Sequence, residues 1–402
     1  MTVQSKAEAR VSEPQGDVGR VIGLDMHPDS FTAAALEGHN AMDARVLWVH
    51  DNRPQEGLEQ WAQQHVEPRD LIVIEASGNT FHTVKRLCAC GCNAVVLEPL
   101  RASQVRKAYC TTDKISAVKL ARVYFSGLAV EVWIPDEKTR ERREVLFAHR
   151  RAVQDTTRGR NRIRSWMNQF SIRRRKGLKL TDPSGRQWLM EQRGWNPTQR
   201  LLIDQMFTDL WQAEARRKTL RQVMAEAVAA DPQLLKLNRL FGVHVIAAYA
   251  VAAIIGDVHR FRTPRKLTAY LGFSPNTNRS GLGKHDGGSS PWGCGEVRRI
   301  LIQAAKAILR YQHDSPVQRW GLALACRKGR NLAAFAVARK LVTAIWYLLK
   351  GFFSPLTEPT LLLRRKLEEL GEEIGSKRLA DLGFENSGIF RDRMMKILLG
   401  TA

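Results

Sequence analysis

Residues 20–31 read RVIGLDMHPDSF. β-Branched Val21 and Ile22 begin an apolar run that stops at Asp25, and Pro28, Asp29 and Ser30 then signal a turn, the pattern of a buried strand ending on an acid. Burying a carboxylate is costly unless it is paired or holds a metal, so this acid is either a turn cap or part of a site. Residues 70–80, DLIVIEASGNT, repeat the event: Leu71, Ile72, Val73 and Ile74 form an apolar run that ends on Glu75. Two buried strands thus deliver a carboxylate each.

Working outward, residues 20–25, 31–36 and 45–49 read as three strands joined by short turns. A helix over 55–64, a strand over 71–75, a helix over 80–88, a strand over 93–97 (NAVVL) and helices near 101–108 and 113–127 follow. A meander followed by β-α-β units predicts an α/β, RNase-H-like domain over residues 20–130, with Asp25 and Glu75 side by side. Residues 1–19 are polar and without periodicity, and read as a disordered tail. A third acid comes from residues 111–124, TTDKISAVKLARVY, where Thr112 is placed to cap a helix and Asp113 lies in its first turn.

With 402 residues and 44% hydrophobic content, the chain has material for two or three folded domains. No apolar run approaches the roughly 18 residues of a membrane span, the longest being 245–256, and no apolar signal segment opens the chain. A cytoplasmic protein without a membrane partner is expected. The six cysteines fit a reduced compartment, and Cys88, Cys90 and Cys92 read as free thiols because no zinc-ribbon C-x-x-C pair occurs.

The net charge of +23 is unevenly placed: residues 1–130 hold 14 Lys or Arg against 15 Asp or Glu. Residues 138–179 alone hold 15 basic residues and three acids. That asymmetry points to a polyanion, with Arg158, Arg160, Arg162, Arg164, Arg173, Arg174, Arg175 and Lys176 as candidate phosphate contacts. Residues 135–170 are helix-compatible throughout, residues 177–197 read as a link around one short helix, and a second long helix over 201–229 is expected to return antiparallel. Residues 131–231 therefore form a basic helical segment. A further domain is expected over 232–355. Residues 356–402 form a helical extension whose amphipathic stretch, TLLLRRKLEELGEEIG, is a candidate for self-association.

Taken in order, these features resemble the DEDD insertion-sequence transposases, which have a RuvC-like N-terminal domain and a small C-terminal transposase domain. Their acids come from G-[IV]-D, IE-A-[ST]-G and [KT]-TD-x-x-DA-x-x-LA. Asp25, Glu75 and Asp113 match the first three, and Ser116 stands where the family has a fourth aspartate. The resemblance implies that these acids hold Mg²⁺, with Glu98, in VVLEP, or Ser116 as the candidate to complete the set. It also implies a coiled-coil stalk and a helix-hairpin-helix in residues 237–257, where Gly242 matches the first hairpin glycine and His244 replaces the second. In the loop 276–295, NTNRSGLGKHDGGSSPWGCG, Ser280 matches the serine proposed to attack DNA, and Arg279, Lys284, Arg298 and Arg299 are candidate phosphate contacts. Ser290 matches a later serine, whereas Pro291 and Cys294 replace the family's lysine and asparagine. The implied activity is cutting and joining of DNA through a phosphoserine intermediate, guided by a noncoding bridge RNA and needing no ATP. The implied assembly is a homo-oligomer, dimer or tetramer, with half-sites drawn from different protomers. Three other readings stand beside it: a site-specific DNA invertase of the same family, an RNase-H-like nuclease using water, and an inactive nucleic-acid-binding derivative.

Overall fold

The computed structural model describes residues 19–99, 112–280, 283–289, 293–311, 315–354, 356–357 and 359–399. Residues 1–18 of the expected tail and the helix expected at 101–108 lie outside the described residues, as do Ser290 and Pro291. The chain divides into two compact units, Met1–Ile134 and Pro135–Ala402.

The first unit is built on strands β1 (Val21–Met26), β2 (Ser30–Glu37), β3 (Arg45–Pro54), β4 (Leu71–Glu75) and β5 (Asn93–Leu97). The sheet order is β3-β2-β1-β4-β5. The meander β1-β2-β3 is antiparallel, while β1, β4 and β5 run parallel. This mixed sheet is consistent with an RNase-H-like fold. Because successive side chains face opposite ways, the apolar runs feed two layers. Ile22, Leu24, Ile72, Ile74 and Val96 pack with Leu58, Trp61, Val84 and Leu87 on one face. Val21, Val73 and Leu97 pack with Ala117 and Ala121 on the other.

Among the described residues, the second unit is helical apart from one hairpin and the isolated bridge between Leu240 and Thr357. Its long helices, Glu137–Gln169 and Pro197–Ala230, run antiparallel: Arg142 reaches Asp231 at 2.6 Å, and Arg162 reaches Asp209 at 3.0 Å. Asp136 caps the first helix by accepting from Thr139 N–H, and Asn196 with Gln199 forms a capping box on the second. At one end of the pair Ile163, Met167, Ile203, Phe207 and Leu210 form a core with Leu189 of the short helix Pro183–Glu191 and with Trp195. Toward the other, Met224 and Val228 join a larger core around helix Val245–Ile255, which is buried on all sides.

Two elements bear on the expectations from the sequence. Helix Arg330–Leu349, 20 residues long with a hydropathy of 1.6, is long and apolar enough to cross a membrane by length and composition. Arg339 and Lys340 interrupt its apolar run in the sequence, and 56% of its apolar window is buried, with Val337, Leu341, Val342 and Ile345 in the large core. Secondly, the segment expected as a loop over 276–295 contains an antiparallel hairpin, β6 (Pro275–Ser280) and β7 (Gly283–Ser289). Asn and Gly are depleted in strands, and this stretch has no apolar alternation to reveal one.

Candidate functional site

Strand register decides which acids meet. Leu24 of β1 lies beside Ile74 of β4, and Glu75 lies beside Leu97 of β5. Asp25, Glu75 and Glu98 therefore stand at the same ends of three adjacent parallel strands. Pleat parity separates them: Asp25 and Glu75 share the face of Val21 and Val73, whereas Glu98 follows the parity of Val96, on the opposite layer. The Glu98 N–H donates to Val130 O at 2.9 Å.

The residues after Glu75 lock its strand end. Thr80 is fully buried; its hydroxyl donates to Glu75 O at 2.8 Å and accepts from Ser77 N–H at 2.7 Å. Ala76 N–H donates to Leu97 O at 3.0 Å, and Asn79 donates to His27 O at 3.4 Å. The Ala-Ser-Gly-Asn-Thr run thus serves as a brace between β1, β4 and β5.

The third acid arrives on helix Asp113–Phe125, whose first turn is capped by Thr112 accepting from Ile115 N–H. Gly23 lets this helix lie directly on β1, since a Cβ there would stand 1.9 Å from the Ala117 carbonyl oxygen. Ligand atoms of Asp25, His27 and Asp113 consequently lie within 4.8 Å of one another. His27 Nε2 is 3.4 Å from Asp113 Oδ1, close enough for an ion pair if the ring is protonated. The contact does not have hydrogen-bond geometry, and the Nε2 atom is turned inward although the side chain as a whole is 44% exposed. Among the described residues, Glu75 is not in this three-residue group. Ser116, half-buried one turn after Asp113, donates its N–H to Thr112 O at 2.8 Å.

A neighbouring acid is already committed. Lys114 sits 3.1 Å from Asp51, which also accepts from Thr32, the residue paired with Asp25 across β1 and β2. The Lys114 hydrogen bond holds the Asp51 carboxyl below its ordinary value. Two carboxylates and an orphaned imidazole nitrogen converging beside it form a possible acidic metal-binding cluster. Sequence reasoning missed His27. Its signal was spacing: residues 25 and 27 lie two apart at a strand end, so they emerge on one face.

The arginines fall into two classes. Arg158 lies 3.2 Å from Asp155, Arg160 lies 3.6 Å from Glu214, and Arg162 lies 3.0 Å from Asp209, while Arg164 is exposed. Arg173, Arg174, Arg175 and Lys176 are all exposed in the segment after the first long helix. Arg298 donates to Gly272 O at 3.2 Å, and Arg299 to the buried Glu296 at 2.6 Å.

Of the serine hairpin the backbone is described: Arg279 pairs with Lys284, and Ser280 with Gly283. The side chains of Arg279, Ser280 and Lys284 lie outside the described residues. Between helices Pro232–Leu237 and Val245–Ile255, Gly242 has φ 70° and a Cβ there would meet Ala304 O at 2.7 Å, so glycine is needed for both reasons. His244 starts the second helix without a side-chain cap. The segment also depends on Lys366, a buried residue of helix Thr360–Ile374 that donates to Asn238 O, Leu240 O and Val243 O at 3.2, 2.8 and 2.9 Å. The apolar face of that helix, Leu363, Leu367, Leu370 and Ile374, is taken up by the same core.

Residues 22–172 match a transposase model of the DEDD class of insertion sequence IS110. Residues 235–319 match a model described as the transposase IS116/IS110/IS902 family. The chain is similar to the transposase for insertion sequence element IS1111A of Coxiella burnetii, 25% identical over 336 residues that cover 82% of this chain and 89% of that protein. It is also similar to the transposase for insertion sequence element IS1533 of Leptospira borgpetersenii, 22% identical over 79% of this chain and 92% of that protein.

Proposed function

The chain belongs to the DEDD-type insertion-sequence transposase family, and from that premise we propose that it cuts and rejoins DNA with Mg²⁺ held by Asp25, Glu75 and Asp113. The observation that carries this reading is the meeting of Asp25 and Asp113 ligand atoms within 4.8 Å at the end of a buried strand. Two carboxylates brought this close offer the oxygen ligands that a hard divalent cation takes. When bound, the cation neutralises charge on the scissile phosphate and polarises it.

Ser280 is the proposed nucleophile. Its Oγ forms a bond to phosphorus as the bond from phosphorus to the strand's leaving sugar oxygen breaks, the serine proton is lost, and the leaving oxygen takes up a proton. Attack by another DNA hydroxyl reverses the step on a new strand. The phosphate ester is conserved throughout, so no nucleotide hydrolysis is required. The 15 basic residues between 138 and 179 support a nucleic-acid partner, and the noncoding guide RNA and homo-oligomer implied by the family belong to this proposal.

The test compares Asp25→Ala with Ser280→Ala on cognate DNA with the element's RNA and Mg²⁺. Strand cleavage is expected to vanish in both while nucleic-acid binding persists, and covalent protein–DNA product to vanish with Ser280→Ala. Free DNA ends still produced by Ser280→Ala would make water the nucleophile and the chain a nuclease. Parental cleavage by Asp25→Ala would place the metal elsewhere.

A further inference from the structure

The position of the family's fourth aspartate is Ser116 here, a neutral hydroxyl, yet the group that converges on Asp25 and Asp113 contains a third donor from elsewhere. His27 follows Asp25 by two residues, and the turn after β1 fixes it: its N–H donates to Ser30 O at 2.9 Å, and its carbonyl accepts from Asn79. The ring is thus presented by backbone that is tied at both its N–H and its carbonyl.

An imidazole placed there for structure alone should make a hydrogen bond to the carboxylate beside it. Instead the ring is 44% exposed while its Nε2 atom is turned inward, 3.4 Å from Asp113 Oδ1 and without hydrogen-bond geometry to it. That geometry suits ligation of one cation by both groups, since a nitrogen ligand and a carboxylate oxygen approach one another closely when both point at it. Lys114, the residue after Asp113, is directed to Asp51 at 3.1 Å.

We propose that His27 is a metal ligand in this chain, supplying through Nε2 the coordination that Ser116 no longer supplies, and that it shifts the site's preference from Mg²⁺ toward Mn²⁺. Carboxylate and water ligands suit Mg²⁺ and Mn²⁺ alike, whereas an imidazole favours the transition metal. The inference rests on the reading of Asp25 and Asp113 as a metal site.

The experiment uses the full chain with MnCl₂ and, separately, MgCl₂, followed by titration calorimetry and by pulsed electron paramagnetic resonance of the bound Mn²⁺. The wild-type protein is expected to show nitrogen coupling to Mn²⁺, and His27→Ala to lose it. Mn²⁺ affinity should drop about 10–100-fold in His27→Ala, the range seen even for groups that merely orient ligands, with a smaller change for Mg²⁺. His27→Asp should reverse the preference by restoring an oxygen donor. Mn²⁺ bound at an Asp25-dependent site without nitrogen coupling overturns the role of His27 and leaves the metal site standing. Mn²⁺ binding that is absent, or unchanged by Asp25→Ala, overturns the metal site itself. The nitrogen signal is read on the wild-type chain, so the decision does not depend on a variant folding.

Discussion

The acid end of the sheet and the long helix Glu137–Gln169 handle charge in opposite ways. At the sheet, backbone register and a tightly seated helix force Asp25 and Asp113 toward one point, with His27 beside them. Along the helix, arginines are spread over many turns, and several are answered by acids on or at the end of the second long helix: Arg142 by its C-cap Asp231, Arg160 by Glu214 and Arg162 by Asp209. Like charges gathered at a point need a counter-ion of fixed position, while like charges dispersed along a surface need only solvent, scattered acids and a diffuse polyanion. The first arrangement should be sensitive to sub-ångström geometry, and the second to salt.

The largest effect should come from closing the space that makes the first arrangement possible. In Gly23→Ala the new methyl would lie 1.9 Å from the carbonyl oxygen of Ala117, a backbone atom that cannot rotate away. Overpacking of this kind costs about 1–3 kcal/mol and more where backbone must move, so the denaturation midpoint should fall steeply. Where the variant folds, metal binding should fall as well, because the helix carrying Asp113 is displaced. Gly23→Ala with parental stability and parental metal affinity would show that the close seating of this helix is not what assembles the site.

How much of this was legible follows from the same contrast. The strands showed because Val21, Ile22 and the run Leu71–Ile74 are apolar and largely β-branched, and the acids that end them stand out against such runs. Asp113 stood out through its match to the family's TD motif, since a first-turn acid after a cap has an ordinary explanation in the helix dipole. Gly23 gave no sign of its task, since a glycine in a strand reads only as a weak link until the Ala117 carbonyl is seen against it. His27 was hidden inside a turn signal, and its meeting with Asp113 depends on contacts 86 positions apart in the chain. Lys366 looked like one charge of a mixed-charge helix; only the fold brings three carbonyls of the segment 238–243 to its ammonium. The hairpin Pro275–Ser280 and Gly283–Ser289 lacked the alternation by which strands are recognised.

The dispersed arrangement gives a middle-sized effect. Arg173, Arg174, Arg175 and Lys176 are exposed outside regular secondary structure, so neutralising all four should leave the fold intact. If each meets one phosphate, the slope of log affinity against log salt should flatten by roughly 3–4 on duplex DNA, at about 0.9 per contact. Preference among sequences should scarcely alter, because phosphate contacts position a nucleic acid and do not read it. Filter binding or fluorescence anisotropy at several salt concentrations measures both quantities. An unchanged slope would move the polyanion to another surface.

The smallest effect concerns arginines that already have partners. Arg162 and Asp209 face each other at 3.0 Å, both with side chains 59% exposed, so their coupling in a double-mutant cycle should be only about 0.2–1 kcal/mol and should fade with added salt. The pair can therefore be exchanged for a phosphate at little cost to the fold. Asp209→Ala removes a competitor for Arg162 and a negative charge from the surface, so stability should hardly change while nucleic-acid affinity rises and its salt slope steepens. Arg162→Ala should reverse both binding effects. If Asp209→Ala instead destabilised the helix pair by several kcal/mol without altering binding, Arg162 would be a structural residue. The dispersed charge of this helix would then be anchored by its own acids, more like the fixed geometry of the sheet than the present contrast allows.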